Sequence, residues 1–203
     1  CQRQEIAFRE VDPEAEGDDF LDRIVPELLA ISRDHVLETV HRCEMRFFVG
    51  QFEPLALGRR RLFIAETAQR IEAFVVLNPC LTGGMWAIEI FRRRRDAVRG
   101  VLPFAMLQAM RHLQAEGVPY ASLSLVPWIR CGQPLAGDSV KFRWFTRLWW
   151  RLGNSLYDVR GMYHFKSRFR PHYREIFLAS YPQTYWFTLV AIALTWRLLP
   201  VNP

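Results

Sequence analysis

Lysine is nearly absent from this basic sequence. Only Lys141 and Lys166 are lysines among 27 basic residues, in a chain with a formal net charge of +6. Arginine therefore carries most of the positive charge. Its planar guanidinium donates two parallel hydrogen bonds to phosphate oxygens, which an ammonium group does not match. A GC-rich genome produces the same bias. Composition alone leaves both causes open, a phosphate-bearing partner and a genomic preference.

The sequence also lacks the signatures of a metal site and of a covalent serine mechanism. Its four cysteines include no C-x-x-C pair and no histidine at the spacing of a zinc site. There is no G-x-S-x-G segment. A chain of 203 residues, 50% of them hydrophobic, buries enough core to fold without disulfides. We therefore predict reduced cysteines, no metal and no cofactor.

Long apolar runs are missing as well. The longest, residues 185–199 (YWFTLVAIALTWRLL), is about 15 residues, and a helix of that length extends about 22 Å against a hydrocarbon core of roughly 30 Å. We expect residues 183–203 to form an apolar C-terminal helix that packs on protein or associates with a membrane. Residues 143–151 interleave Trp with Arg. This pattern fits a core helix with solvated arginines or an interfacial helix.

The N-terminal part predicts a charged loop and then a helix. Residues 12–19 are mostly acidic, and Asp18 or Asp19 suits the N-cap of a helix. Apolar residues recur at helical spacing from there, which predicts a helix over residues 19–40. Pro26 lies inside it and predicts a kink or a break.

The middle of the chain alternates as strands do. The predicted elements are a hairpin of residues 61–67 and 70–77, a strand at 86–91, an amphipathic helix at 101–116 ending at Gly117, and a strand at 120–126. In the third strand, strict alternation places Ile88 and Ile90 on one face and Glu89 on the other.

A basic run, residues 92–95, lies between the strand at 86–91 and the helix at 101–116. Free N–H groups and the helix dipole favour anions at such a position. The arrangement resembles the GNAT acyltransferase fold, which implies an α/β (α+β) domain over residues 1–182 with a mixed, mostly antiparallel sheet flanked by helices. The loop contains one glycine, Gly100, where acyl-CoA loops have two. A donor other than CoA is therefore favoured.

Several segments, in order, resemble the C-terminal catalytic region of the lysylphosphatidylglycerol synthase family. Residues 44–52 (EMRFFVGQF) resemble its E-K-G-F-S-L-G-x-F segment, and residues 89–92 (EIFR) resemble its D-L-M-R. Residues 96–101 (DAVRGV) resemble D-A-P-x-G-V. The sharpest match is residues 157–171 (YDVRGMYHFKSRFRP), to Y-N-F-x-G-L-x-x-F-K-x-K-F-x-P.

The resemblance implies transfer of an aminoacyl group from aminoacyl-tRNA to the hydroxyl of a membrane phospholipid such as phosphatidylglycerol. The implied partners are aminoacyl-tRNA and an anionic phospholipid membrane, and the implied place is the cytoplasmic face of the cell membrane. The family has a tandem GNAT architecture. The resemblance thus also implies an upstream GNAT half or a transmembrane region in a longer protein.

The resemblance assigns catalytic roles to Glu89 and Glu44, which would bind the donor amino group or accept a proton. It assigns substrate binding to Arg92, Arg93, Lys166, Arg168, Tyr157 and His41. Glu89 stands where the family has Asp, and His41 where it often has Lys, so the transferred amino acid stays open. A solvated arginine loop, an ion-paired strand residue at Glu89 and a helix-end charge at Glu44 are the plain alternatives.

Two other functions fit parts of the sequence. An acyl-CoA-dependent GNAT enzyme acting on a small amine or peptide predicts saturable CoA binding at residues 92–101. A non-catalytic basic module that binds anionic membrane or RNA predicts salt-sensitive binding without turnover.

Overall fold

The computed structural model describes residues 5–38, 52–80, 84–127, 136–152, 158–177 and 185–196, together with residues 129, 179, 181 and 183. They form two compact units, with the boundary along the chain between Ser124 and Leu125. The domain limit at residue 182 stays a prediction. Three of the predicted site residues lie outside the described residues: His41, Glu44 and Tyr157.

The first unit is built on a five-stranded sheet whose spatial order follows the chain. The strands are β1 (Ala7–Val11), β2 (Arg61–Glu66), β3 (Ile71–Cys80), β4 (Met85–Arg93) and β5 (Ala121–Ser122). The first four pair antiparallel, and β4 pairs with β5 in parallel. The predicted mixed, mostly antiparallel sheet of a GNAT-like α/β fold is confirmed.

Helices flank this sheet and make up the regular structure of the second unit. In the first unit they are α1 (Pro13–Glu16), α2 (Val25–Glu38) and α3 (Val101–Ala115). In the second unit they are α4 (Val140–Leu152), α5 (Val159–Ser167) and α6 (Trp186–Thr195). Parallel strands need a crossover connection, and α3 provides it between β4 and β5.

The N-terminal region is more ordered than the sequence predicted. The charged stretch at residues 12–19 contains α1, because the Asp12 carboxylate accepts a hydrogen bond from the Glu14 N–H at 3.0 Å. The prediction of a loop there is wrong, and β1 precedes it. The predicted helix at 19–40 begins as a π-helical turn, Phe20–Ile24, and continues as α2. The change of hydrogen-bonding pattern adjoins Pro26, which lacks an N–H group.

Apolar side chains cover both faces of the sheet. On one face, Val76 and Ile90 belong to a buried cluster that includes Leu28 of α2. On the other face, the ring of Phe63 lies 5.3 Å from that of His112 in α3. Burial of apolar surface stabilises by about 25 cal/mol per Å², so these two layers stabilise β2, β3 and β4.

The alternation of β4 breaks at Glu89. Ile90 pairs with Val76 and Ile88 pairs with Leu77, which leaves Glu89 as an extra residue in a β-bulge. Val76 and Leu77 are adjacent and face opposite sides of the sheet, so their partners Ile90 and Ile88 do as well. The prediction that Ile88 and Ile90 share a face is wrong, because the bulge shifts the alternation by one residue.

β4 and β5 separate just before this bulge. The predicted strand at 120–126 is reduced to β5, which pairs with β4 only at Trp86 and Ala87 among the described residues. Ser124 adopts a positive φ of 61°, and its hydroxyl donates to the carbonyl oxygen of Ile88 at 2.8 Å. In the part of the chain that the structure describes, β4 has no strand beside it on this side from Ile88 onward.

In the second unit, one helix has a side-chain cap, and aromatic rings make further contacts. The carboxylate of Asp158 accepts a hydrogen bond from the Gly161 N–H at 2.8 Å and so caps α5. The guanidinium of Arg160 lies 4.8 Å from the centre of the Trp150 ring. Helices α4 and α6 contact each other. Across the described residues, each helix is too short or too polar to cross a bilayer.

Candidate functional site

The β-bulge presents Glu89 next to a second polar side chain. The half-buried carboxylate of Glu89 accepts a hydrogen bond from Asn78 Nδ2. The other amide atom, Asn78 Oδ1, is buried and has no hydrogen-bond partner among the described residues. Leaving a buried acceptor unsatisfied costs about 1–3 kcal/mol. Asn78 Oδ1 and the Glu89 carboxylate thus form a pair of acceptors at the bulge, in which the amide oxygen is enclosed by protein atoms.

Arg92 lies on the same face of the sheet as this pair. It pairs across the strands with Phe74, which belongs to the apolar cluster on the α2 side. Asn78 is four residues from Phe74 in β3, so its side chain points to that face too. Arg92 is only 5% exposed. Because a guanidinium stays protonated in proteins, it adds a fixed positive charge to the face that carries Glu89.

The other arginines of the run have different surroundings. Arg93 donates to the backbone carbonyls of Arg94 and Arg95, at 2.8 and 3.0 Å. Arg94 donates to the Ile71 carbonyl at 2.7 Å and to the Glu27 carboxylate at 2.8 Å. The side chain of Arg95 is 84% exposed. Arg94 therefore ties β4 to β3 and α2, whereas Arg93 and Arg95 are open to solvent.

A buried carboxylate fixes the loop that follows. Glu72 accepts hydrogen bonds from Arg70 Nε at 2.8 Å and from the Val98 N–H at 3.2 Å. Arg70 also binds Asp96 at 2.9 Å, and this hydrogen bond lowers the pKa of the Asp96 carboxyl. Gly100, with φ at +87°, turns the chain into α3. Part of the predicted anion-binding loop is thus already occupied by protein carboxylates.

In the second unit, Lys166 of α5 is buried. It is 4% exposed, and its Nζ donates to the Leu125 carbonyl at 3.1 Å, its one hydrogen bond among the described residues. Burial lowers the pKa of Lys166 to about 8. An ammonium group has three donors, so two are left for a ligand. An anion placed there would be bound strongly because little water competes for the site.

Arg168 and Arg170 follow on the chain, and both side chains are exposed. Arg168 is the C-cap residue of α5. The segment that matched the family motif most sharply therefore places one buried lysine and one exposed arginine at the same helix end. A cation at a helix C-terminus is also favoured by the helix dipole.

The structure brings the predicted residues together in pairs. Glu89 and Arg92 share a sheet face in the first unit, and Lys166 and Arg168 share the end of α5 in the second. Asn78 was not predicted. Its only signal is that it is the first polar residue after the apolar stretch 73–77 within β3. The contact with Glu89 depends on a bulge that the alternation does not reveal.

A third group of polar side chains is an ion-pair network. Ligand atoms of Glu10, His112 and Glu116 lie within 4.8 Å of one another, as in many metal sites. Arg61 donates to both carboxylates, at 2.6 Å to Glu10 and 2.6 Å to Glu116. The guanidinium supplies the positive charge that a metal ion would otherwise supply there.

Comparison with known proteins extends over most of the chain. The family model described as phosphatidylglycerol lysyltransferase, C-terminal, matches residues 3–180. Two curated phosphatidylglycerol lysyltransferases are similar: that of Staphylococcus xylosus is 21% identical over 178 residues, and that of Bacillus subtilis (strain 168) is 25% identical over 179 residues. They match 85% and 88% of this chain, which spans only 20% of the length of each.

Two solved structures have the same fold. The C-terminal domain of a putative lysylphosphatidylglycerol synthetase from Agrobacterium fabrum is 24% identical with a TM-score of 0.60, over 84% of this chain and 48% of that one. L-PGS from Bacillus licheniformis is 16% identical with a TM-score of 0.64, over 96% of this chain and 56% of that one.

Proposed function

This chain belongs to the phosphatidylglycerol lysyltransferase C-terminal family, and we propose that it transfers an aminoacyl group from aminoacyl-tRNA to a hydroxyl of a membrane phospholipid such as phosphatidylglycerol. The observation that supports this most is the acceptor pair of Glu89 and Asn78 at the bulge of β4. The site of action is the cytoplasmic face of the membrane. The remaining four-fifths of the relatives' length suggests an upstream GNAT half or transmembrane region as partner.

The proposed reaction is a single displacement. The lipid hydroxyl oxygen attacks the carbonyl carbon of the aminoacyl ester and forms a new C–O bond. The ester bond to the tRNA ribose breaks, and the proton of the lipid hydroxyl ends on the departing ribose oxygen. No covalent enzyme intermediate, metal or cofactor takes part in this reaction.

The amino group of the donor is the natural ligand for the acceptor pair. An α-ammonium between the Glu89 carboxylate and Asn78 Oδ1 would gain charge-assisted hydrogen bonds and would satisfy the buried amide oxygen. Glu89 would also be able to accept the proton of an attacking hydroxyl. The motif assigns Glu44 to the same task.

Phosphates of both substrates would be held by cationic side chains. Arg92 and Arg93 serve this role in the first unit, and Lys166 and Arg168 serve it in the second. A phosphate beside Lys166 would stabilise its ammonium form and raise its pKa again. Tyr157 and His41 complete the proposed substrate-binding set.

A labelling experiment tests the donor and the acceptor together. The purified chain is incubated with phosphatidylglycerol vesicles and radiolabelled lysyl-tRNA, alanyl-tRNA or acetyl-CoA, and the label is followed into the lipid fraction. The proposal predicts label from one of the aminoacyl-tRNAs and none from acetyl-CoA. Label from acetyl-CoA alone would contradict it in favour of the acyl-CoA enzyme.

A further inference from the structure

Two helices of the second unit expose apolar side chains in rows. Residues four apart lie above one another on a helix, so each row is a continuous strip. All six side chains are between 45% and 69% exposed: Val140, Trp144 and Leu148 on α4, and Trp186, Val190 and Leu194 on α6. Both helices thus present an apolar face to solvent.

These rows are not the faces by which the helices pack. On α4 the buried side is a different one, where Thr146 and Trp149 are enclosed and the Trp149 ring lies 6.1 Å from that of Phe145. On α6 the buried residues are Leu189 and Ala193. Each helix therefore has one apolar face against protein and a second that no described residue covers. Exposed apolar patches of this kind mark interaction surfaces.

Positive charge accompanies the rows. Lys141, Arg147 and Arg151 are exposed on α4 beside its apolar row. From Leu125 onward the sequence has eleven Lys or Arg and three Asp or Glu, a net charge of +8. Residues 1–124 have sixteen and eighteen, a net charge of −2. The basic character of the chain is therefore confined to the part that carries the exposed rows.

This combination fits a lipid interface better than a nucleic acid. Tryptophan prefers the headgroup level of a bilayer, aliphatic side chains prefer the acyl boundary, and Lys and Arg bind the phosphates. RNA phosphates would bind the cationic side chains and RNA bases would stack on the tryptophan rings, but RNA has no apolar region that would bury the aliphatic side chains of the rows. We propose that the rows of α4 and α6, with Lys141, Arg147 and Arg151, dock the chain onto the interface of an anionic phospholipid bilayer.

This docking proposal rests on the proposed function only for the identity of the lipid. Its test measures binding and does not depend on catalysis. The chain is sedimented with vesicles of phosphatidylglycerol and phosphatidylcholine, and with phosphatidylcholine alone. Replacing both Trp144 and Leu148 by Ser should weaken binding to the mixed vesicles about tenfold or more. Leu37→Ser, on the exposed side of α2, is the matched control and should bind like the wild type.

The charges are tested separately. Replacing Arg147 and Arg151 by Ser should weaken binding to the anionic vesicles about tenfold at low salt and much less at high salt. Arg33→Ser, also exposed on α2, is the control. Equal binding to both vesicle types would overturn the anionic part of the proposal. Unchanged vesicle binding by the Trp144/Leu148 variant would overturn the apolar part.

Further measurements distinguish lipid docking from misfolding, from RNA binding and from a loss of catalysis. Thermal unfolding should be unchanged in these variants, because the replaced side chains are exposed. If the same substitutions abolish binding to tRNA but not to vesicles, the surface belongs to RNA and the proposal is wrong. Transfer to a short-chain, monomeric phosphatidylglycerol should survive in the row variants and fall only on vesicles. Absence of transfer with every lipid would count against the proposed function, while sedimentation still decides the docking.

Discussion

Asn78 of β3 donates a hydrogen bond to the carboxylate of Glu89 at the point where β4 gains an extra residue. The bulge turns Glu89 towards the sheet face that carries Asn78, Val76 and the α2 helix. With regular alternation, Glu89 would point to the α3 side instead. A backbone irregularity therefore decides which face of the sheet holds the acceptor pair.

Replacing Asn78 by Leu tests its role as a positioning residue. The substitution removes the hydrogen bond to Glu89 together with the unsatisfied Oδ1, so transfer should fall about tenfold or more while the free energy of unfolding changes by less than about 1 kcal/mol. Steady-state kinetics and chemical denaturation measure the two effects. A merely structural Asn78 would show the opposite pattern, a loss of stability with an unchanged kcat/KM.

Replacing Lys166 by Met should stabilise the protein near neutral pH. The folded pKa of about 8 lies below the unfolded value of 10.5, so keeping the buried ammonium charged has a cost. The variant removes that cost, offset by the lost hydrogen bond to Leu125, for a net gain of about 1–2 kcal/mol. Denaturation at pH 7 measures it, with the exposed Lys141→Met as control.

The lowered pKa of Lys166 also determines how the free energy of unfolding changes with pH. Between pH 8 and 10.5 the unfolded chain binds more protons at this position than the folded chain does. The free energy of unfolding should therefore gain a rising contribution across that window. The contribution should disappear in the Lys166→Met protein. A wild-type curve identical to that of the variant would show that Lys166 titrates normally.

Arg94 and Arg95 are neighbours with opposite expected effects. Arg94→Ala removes hydrogen bonds to Ile71 and Glu27 and should lower the free energy of unfolding by about 1–3 kcal/mol. Arg95→Ala should change it by less than about 0.5 kcal/mol, because its contact with Glu38 is exposed. Urea denaturation compares the two proteins. Equal losses of stability would contradict the conclusion that Arg94 is structural and that Arg95 faces solvent.

The network around Arg61 should weaken in acid. The hydrogen bond from Arg61 lowers the pKa of the Glu116 carboxyl below its ordinary value of 4.5. A depressed carboxyl pKa adds stability that is present above 4.5 and is lost as the pH falls through the folded value. Thermal unfolding between pH 7 and pH 3 should show this loss in the wild type and a flatter curve in Arg61→Met. Parallel curves would rule out this pair as a source of acid sensitivity.

Local patterns predicted much of the fold. Helical spacing identified α2 and α3, and the apolar runs identified the β2–β3 hairpin, because these elements bury one continuous face each. The strand β1 was missed, since a charged segment such as Phe8–Glu10 becomes a strand only by pairing with β2, where Arg9 reaches Glu66 at 2.7 Å. That contact joins residues far apart in sequence, which periodicity does not report.

The candidate site was predicted less completely. The family motifs singled out Glu89 and Lys166 as candidates. They did not predict the bulge that orients Glu89 or the burial that lowers the pKa of Lys166. The arginine run appeared as one basic patch, whereas its members differ because Arg94 donates to Glu27 and to the Ile71 carbonyl while Arg95 is open to solvent. Burial and partner identity are tertiary properties, and neither is encoded in the spacing of residues along β4.

The most direct measurement compares aminoacyl transfer to phosphatidylglycerol vesicles by the wild type, Glu89→Gln and Glu14→Gln. Glu14 is an exposed glutamate of α1 in the same unit and serves as the matched control. We expect label in the lipid for the wild type and Glu14→Gln, and a rate at least about 100-fold lower for Glu89→Gln. Equal rates for all three proteins would remove Glu89 from the mechanism, and no label from the wild type would contradict the proposed transfer itself.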